Sequence, residues 1–196
     1  MAKQNINSKK GFTIIEVVLV LAIAGLIFLM VFVALPALQR SQRDTARRND
    51  LARVDTSLVQ YQTNNQGTNN GSNLPTDSAV YEAGENFVGD FACGDRTAAA
   101  SNNNIMSCIF VRDYMNSGTA GTDKKNEFQD PAGSFYKLDI GTGGYEYSGT
   151  AMDYTVHIRT GAKCDGEVAV ATPNEPRHFA IIYRLEGAGT YCIDDQ

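Results

Sequence analysis

A chain of 196 residues suits one globular domain with an attached element better than two full domains. Its net charge of −5 argues against nucleic acid as the main partner, and that charge is unevenly spread. Tryptophan is absent, but nine tyrosines and nine phenylalanines supply enough large apolar groups for a modest core in the later part.

Before Gly11 the only charged residues are Lys3, Lys9 and Lys10. Residues 12–38 then read FTIIEVVLVLAIAGLIFLMVFVALPAL, with Glu16 the one charged side chain and Thr13 the one hydroxyl. A bilayer core about 30 Å thick needs about 20 apolar residues in a helix, so this run can span it. The basic leader would keep the N-terminus cytoplasmic under the positive-inside rule, while five arginines against two aspartates between Arg40 and Arg53 flank the other end. A cleavable secretory signal does not fit. Its apolar core is usually roughly 7–15 residues long and ends in a small-x-small site, whereas Ala22-Ile23-Ala24 lies in the middle of this run. A plain transmembrane anchor leaves Glu16 unexplained. An acid at the bilayer centre costs about 2.5–3.5 kcal/mol, less near the interface, and such a residue normally serves a partner.

Lys10-Gly11-Phe12-Thr13-Ile14-Ile15-Glu16 resembles the processing motif of type IV prepilins and pseudopilins. The matching features are a basic leader, a glycine, a phenylalanine, and a glutamate as the fifth residue counted from that phenylalanine. The resemblance implies a leader peptide over 1–11, cut between Gly11 and Phe12 by a membrane-embedded prepilin peptidase, with N-methylation of Phe12. It also implies a role for Glu16 in assembly. A glycine at the cut can be drawn extended into a protease cleft without steric cost. Gly25 falls where pilins usually carry a glycine. The family's usual proline position is Val33 here, and the proline stands three residues later, at Pro36. That proline removes the helix bond to the Phe32 carbonyl and tends to kink the axis; the resemblance implies that this stretch can partly unwind in a filament.

Past Pro36 helix-forming residues continue without the apolar character. Leu51, Val54, Leu58 and Tyr61 recur at spacings of three, four and three, which places them on one face, with Arg, Asp, Gln and Ser opposite. One helix from about 12 to 62, about 75 Å long at 1.5 Å per residue, would sit in lipid over 12–38 and lay its amphipathic half, 39–63, on a head formed by 64–196. A polar loop at 64–72 ends it. Asn70-Gly71-Ser72 within that loop matches a glycosylation sequon, a short pattern that also arises by chance. Ile105, Ile109 and residues 112–114 suggest a short helix around Cys108. Asp130-Pro131-Ala132-Gly133 reads as a tight turn, with proline fixing φ at its second position, and is similar to a loop in many pseudopilins and some pilins. Strand-like segments follow at 136–140, 154–159, 167–172, 179–185 and 190–193, with turns at Asp165-Gly166 and Gly187-Ala188-Gly189. Alternation puts Tyr154, Val156 and Ile158 on one face, and the Ala180–Ile182 run suits a central strand. The expected fold is α+β: a long N-terminal helix packed on an antiparallel sheet.

Cys93, Cys108, Cys164 and Cys192 all follow the apolar run, and an even count in an exported region suggests two disulfides. A zinc site or free buried thiols are the alternatives, but there is no C-x-x-C pair, and His157 and His178 stand at no metal-like spacing from a cysteine. Three connectivities are open. A bond between Cys164 and Cys192 would pin the C-terminal edge, as the family's C-terminal disulfide loop does; Cys93 with Cys108 would then close a short loop worth about 3 kcal/mol. Both histidines read as ordinary strand residues, and no nucleophile elbow, phosphate loop or metal motif is present. Asp165, Glu167, Asp194 and Asp195 could ligate Ca2+, which the major pseudopilins bind, but without EF-hand spacing they read first as solvated turn carboxylates, and no cofactor is expected.

The expected protein is not an enzyme but a structural subunit of a type IV pilus, used for adhesion, motility or DNA uptake. It would be held in the cell membrane by a single pass and then added to an extracellular filament. The resemblance implies its partners: prepilin peptidase, an assembly platform with its ATPase, minor pilins, membrane lipid before assembly, and copies of itself. A pseudopilin of a type II secretion or competence system shares every N-terminal feature. A single-pass membrane protein with a sensing or enzymatic ectodomain is the reading from another class, and it leaves Glu16 without a purpose.

Overall fold

The computed structural model describes residues 11–65, 74–75, 79–82, 105–115, 128–149, 152–187 and 189–195. The chain divides after Arg40 into two compact units. One helix, α1 (Ile14–Asn64), runs through both and includes Pro36.

In the first unit α1 is apolar on every side. An 18-residue window reaches a mean hydropathy of 3.2 and none of it is buried within the protein. Leu26, Phe28, Leu29 and Phe32 stand exposed, as do their neighbours. A helix apolar all round needs an apolar surrounding, and this one is long enough to cross a membrane.

The second unit is built on the other half of α1. Leu51, Val54, Leu58 and Tyr61 are all buried, as their spacing predicts. They pack into one cluster with Leu138, Ile140, Val156, Ile158, Phe179, Ile181 and Tyr183 from the sheet. Tyr61 meets Phe110 edge to face at 5.7 Å. Phe110 ends the short helix α2 (Ile105–Phe110), which continues as a π-helical turn over Val111–Met115, where a short helix was expected.

Seven strands are described: β1 (Ala79–Glu82), β2 (Lys137–Thr142), β3 (Thr155–Thr160), β4 (Ala162–Asp165), β5 (Val168–Ala171), β6 (Phe179–Arg184) and β7 (Thr190–Asp194). Five form the main sheet in the order β1-β2-β3-β6-β7, while β4 and β5 pair separately. The α+β arrangement is as the sequence implies, but the sheet is mixed. Strands β2 and β3 run parallel, with Leu138 opposite Val156 and Ile140 opposite Ile158. Parallel neighbours are joined by a crossover and not by a hairpin, and it takes about a dozen residues. Tyr145, between β2 and β3, exchanges backbone hydrogen bonds with Ala169 of β5, each 2.9 Å.

Strand β6, expected as central, is an interior strand between β3 and β7 and is buried along nearly its whole length. Phe179, Ile181 and Tyr183 face α1, while Ala180 and Ile182 face the other way and pack on Ala162 and Ala169 of the β4–β5 hairpin. The unit thus has three layers: helix, sheet, hairpin. Segment 167–172, expected as a strand of the sheet, belongs instead to this covering hairpin. The Asp165-Gly166 turn closes it, with Gly166 at φ +65°, a conformation that favours glycine. The loop at 66–73 with its sequon lies outside the described residues.

Candidate functional site

Gly11, Phe12 and Thr13 precede the first turn of α1 and belong to no regular element. Phe12 is 85% exposed. Among the described residues a Cβ built on Gly11 meets nothing within 4 Å. Glu16 is the acid of the first helical turn, its N–H bonding to the Thr13 carbonyl at 3.1 Å. There the positive end of the helix dipole favours a carboxylate, worth about 0.3–1 kcal/mol when exposed. That local benefit is smaller than the cost of an acid in lipid, so the dipole alone does not account for Glu16.

Residues 6–32 match the family model for the prokaryotic N-terminal methylation motif. The chain carries the class III signal of type IV pilins and pseudopilins. No curated protein and no solved structure matches it.

The C-terminal cysteines meet. Cys164 of β4 and Cys192 of β7 form a disulfide with Cα atoms 5.8 Å apart, which fastens the covering hairpin to the last strand of the sheet. The Cys164 amide also donates to Asp194 Oδ2 at 2.7 Å. The expected Cys93–Cys108 bond lies outside the described residues.

The four carboxylates weighed for Ca2+ are not gathered into one site. Asp194 takes the Cys164 amide. Asp195 accepts from the Phe179 amide and faces His178 Nδ1 at 3.1 Å, and Glu167 lies near the Thr190 amide. Among the described residues no three His, Cys, Asp or Glu side chains converge as a metal site. His157, buried in β3, stacks on Tyr145, its Nε2 2.9 Å from the tyrosine oxygen and its Nδ1 2.7 Å from Asp139 Oδ2. Arg159 reaches the same carboxylate at 2.5 Å. This knot ties β2, β3 and the crossover together. Burial tends to raise the Asp139 carboxyl, but hydrogen bonds from His157 and Arg159 outweigh it and hold it below the usual range. The Tyr145 phenol is pushed up by burial.

Sequence reasoning missed the main polar feature of the second unit. Arg47 is 1% exposed, on the face that spacing had assigned to apolar residues alone. Its guanidinium donates to both oxygens of Asp130, at 2.6 and 3.0 Å, and to Asp44 Oδ1 at 2.8 Å. Asp44 in turn accepts from the amides of Glu186 and Gly187, each at 2.9 Å. Arg43 makes a two-bond pair with Glu186 at 2.8 and 2.7 Å. Asp130 is the first residue of the predicted turn, where its carbonyl accepts from Gly133 N–H at 2.7 Å, and Gly133 has φ +93°. Its carboxylate also receives the Tyr183 hydroxyl at 3.3 Å. Two segments far apart in the chain, the Asp130 turn and residues 183–187, therefore meet on α1.

Burial works against the Arg47 charge, but its bonds to Asp130 and Asp44 outweigh that and keep it protonated. Burial also pushes Asp44 up, and the two backbone amides with Arg47 bring it below its ordinary value. Arg43 holds Glu186 down at about 2. A signal for this cluster was present. Residues 44, 47, 51, 54, 58 and 61 continue one spacing of three and four, and the charges at 44 and 47 hid their place in the stripe.

Proposed function

We propose that this protein is a structural subunit of a type IV pilus. The observation that carries the reading is the methylation motif over 6–32 leading into a fully exposed apolar helix. A helix apolar on all sides suits lipid first and then the packed centre of a filament. The cleaved precursor would expose a cationic amine on Phe12, and such a charge near an apolar phase requires a counter-charge. Glu16 lies about 6 Å along the helix from Phe12 at 1.5 Å per residue. If neighbouring helices are staggered, Glu16 of one subunit meets the amine of the next and fixes the axial register. The head, with its disulfide-fastened edge, would form the outer surface. Assembly would draw on prepilin peptidase, a membrane platform with its ATPase, and minor pilins.

The Asp130-Pro131-Ala132-Gly133 turn favours a second reading, a pseudopilin of a secretion or competence system. Sheared surface filaments containing this protein by mass spectrometry support the pilus; its confinement to the envelope supports the pseudopilin. In both, N-terminal mass spectrometry of the processed form is expected to find methylated Phe12. A processed chain starting at Met1 or beyond Leu38 would overturn both.

A further inference from the structure

We infer that the Asp44–Arg47–Asp130 cluster is a register lock, which allows α1 to sit on the sheet in one axial position only. The apolar anchors do only part of this. Leu51, Val54, Leu58 and Tyr61 are spaced three, four and three, so a slide of about one turn carries Val54, Leu58 and Tyr61 close to the places of Leu51, Val54 and Leu58. All four are large and apolar, and cores tolerate such exchanges when volume is nearly kept. Three of the four places thus stay filled by apolar side chains after a slip, and only the Tyr61 place, which Asn64 or Asn65 would enter, resists it.

The polar end of the stripe does the rest. Two places are fixed on the head: the Asp130 carboxylate, held by the Ala132 amide at 2.8 Å, and the paired amides of Glu186 and Gly187. The first requires a cation and the second an acceptor. In the observed register Arg47 and Asp44 meet these needs. A slip of three residues one way sets Asp44 against Asp130, two carboxylates in a buried place. A slip of four in that direction brings Arg43 to Asp130 but sets Arg40 against the two amide donors. In the opposite direction, three residues bring Asp50 to Asp130 and Arg47 to the amides. Four residues bring Leu51 and Arg48 to those places. Each alternative leaves buried charge unpaired or opposed, which is far costlier than a mismatched methyl group. An ionic cluster at this end therefore supplies uniqueness that apolar packing gives only in part, even if it adds little net stability.

The consequence rests on the filament reading: subunits whose helices took different registers could not pack alike. The test uses the full chain in detergent micelles, with nitroxide labels on Val59→Cys and Val80→Cys, both exposed. Pulsed electron paramagnetic resonance should give one narrow distance in the parent. In Arg47→Met/Asp130→Asn, which removes both charges while keeping volume, a second distance is expected, with the melting temperature changed by only a few degrees. A merely structural role predicts the reverse, a lowered melting temperature and one unshifted distance, and that result would overturn the lock. If the double variant does not fold, Asp44→Asn decides: a minor second distance supports the lock and a single one refutes it. Parent protein that never enters filaments would sink the pilus reading and leave the distance measurement unaffected.

Discussion

The two halves of α1 share one backbone and differ in what surrounds them. Between Ile14 and Leu38 the large apolar side chains are exposed on all sides; from Ser41 onward one stripe is buried and the rest is polar. The first half is long and apolar enough to cross a membrane, and its own residues do not bury it. The second half is fixed by contacts within its own chain. One element thus carries two separable tasks, and substitutions in each half should report on different measurements.

The largest expected effect falls on assembly. Glu16→Ala should leave insertion and cleavage normal and give few or no filaments, read by electron microscopy of sheared material. Abundant filaments made of the variant alone would show that the carboxylate does not set register. Head stability should not change, because Glu16 lies in the first unit.

Leu58→Ala should show the opposite pattern. Leu58 is wholly buried in the core cluster, and such truncations cost about 2–5 kcal/mol, part transfer and part cavity. Leu26→Ala removes as many carbons from a side chain 64% exposed and should leave head unfolding by denaturant unchanged. Equal effects at the two positions would break the division between the halves.

What was legible in the sequence follows the same line. The apolar run, the Gly11-Phe12 motif and the 51–54–58–61 stripe are local patterns, and period or spacing exposes them. The Asp130 turn was legible as a turn, because proline and glycine dictate it, but its partner Arg47 lies 83 residues away and no local pattern links them. Strand β4, Ala162-Lys163-Cys164-Asp165, lacks the β-branched and aromatic residues that mark a strand and forms because the turn and the disulfide hold it against β5 and β7. The parallel pairing of β2 with β3 was hidden for a similar reason: strand direction is set by where the crossover packs.

The Cys164–Cys192 bond should contribute less than a core leucine at its most costly. Closing a separation of 28 residues is worth about 3–4 kcal/mol by loop entropy, and native strain usually reduces that. Cys164→Ser/Cys192→Ser should therefore lower the denaturation midpoint of the head while leaving insertion through the first half unaffected. In the parent, alkylation without reduction should leave both cysteines unlabelled.

The smallest effect concerns acid. Glu186 is held at about 2 by Arg43 and then Arg47, so the folded state releases its proton more readily than the unfolded chain does. The stabilisation it brings is fully present above its ordinary value of 4.5 and is lost as pH falls toward about 2. Asp44 and Asp139, also held low, act in the same direction. Asp50 and Asp55 are pushed up, chiefly by burial, and act in the opposite direction, since acid relieves their cost. The total pH profile mixes these signs, so only a difference isolates Glu186. Its side chain is 27% exposed and solvent screens the pair, which keeps the effect modest. Glu186→Gln should melt slightly below the parent at neutral pH, and the two melting curves should converge between about pH 4.5 and 2 as the parent carboxylate takes up its proton. Curves that stay parallel across that window would show that the Arg43–Glu186 pair contributes nothing to holding α1 on the head.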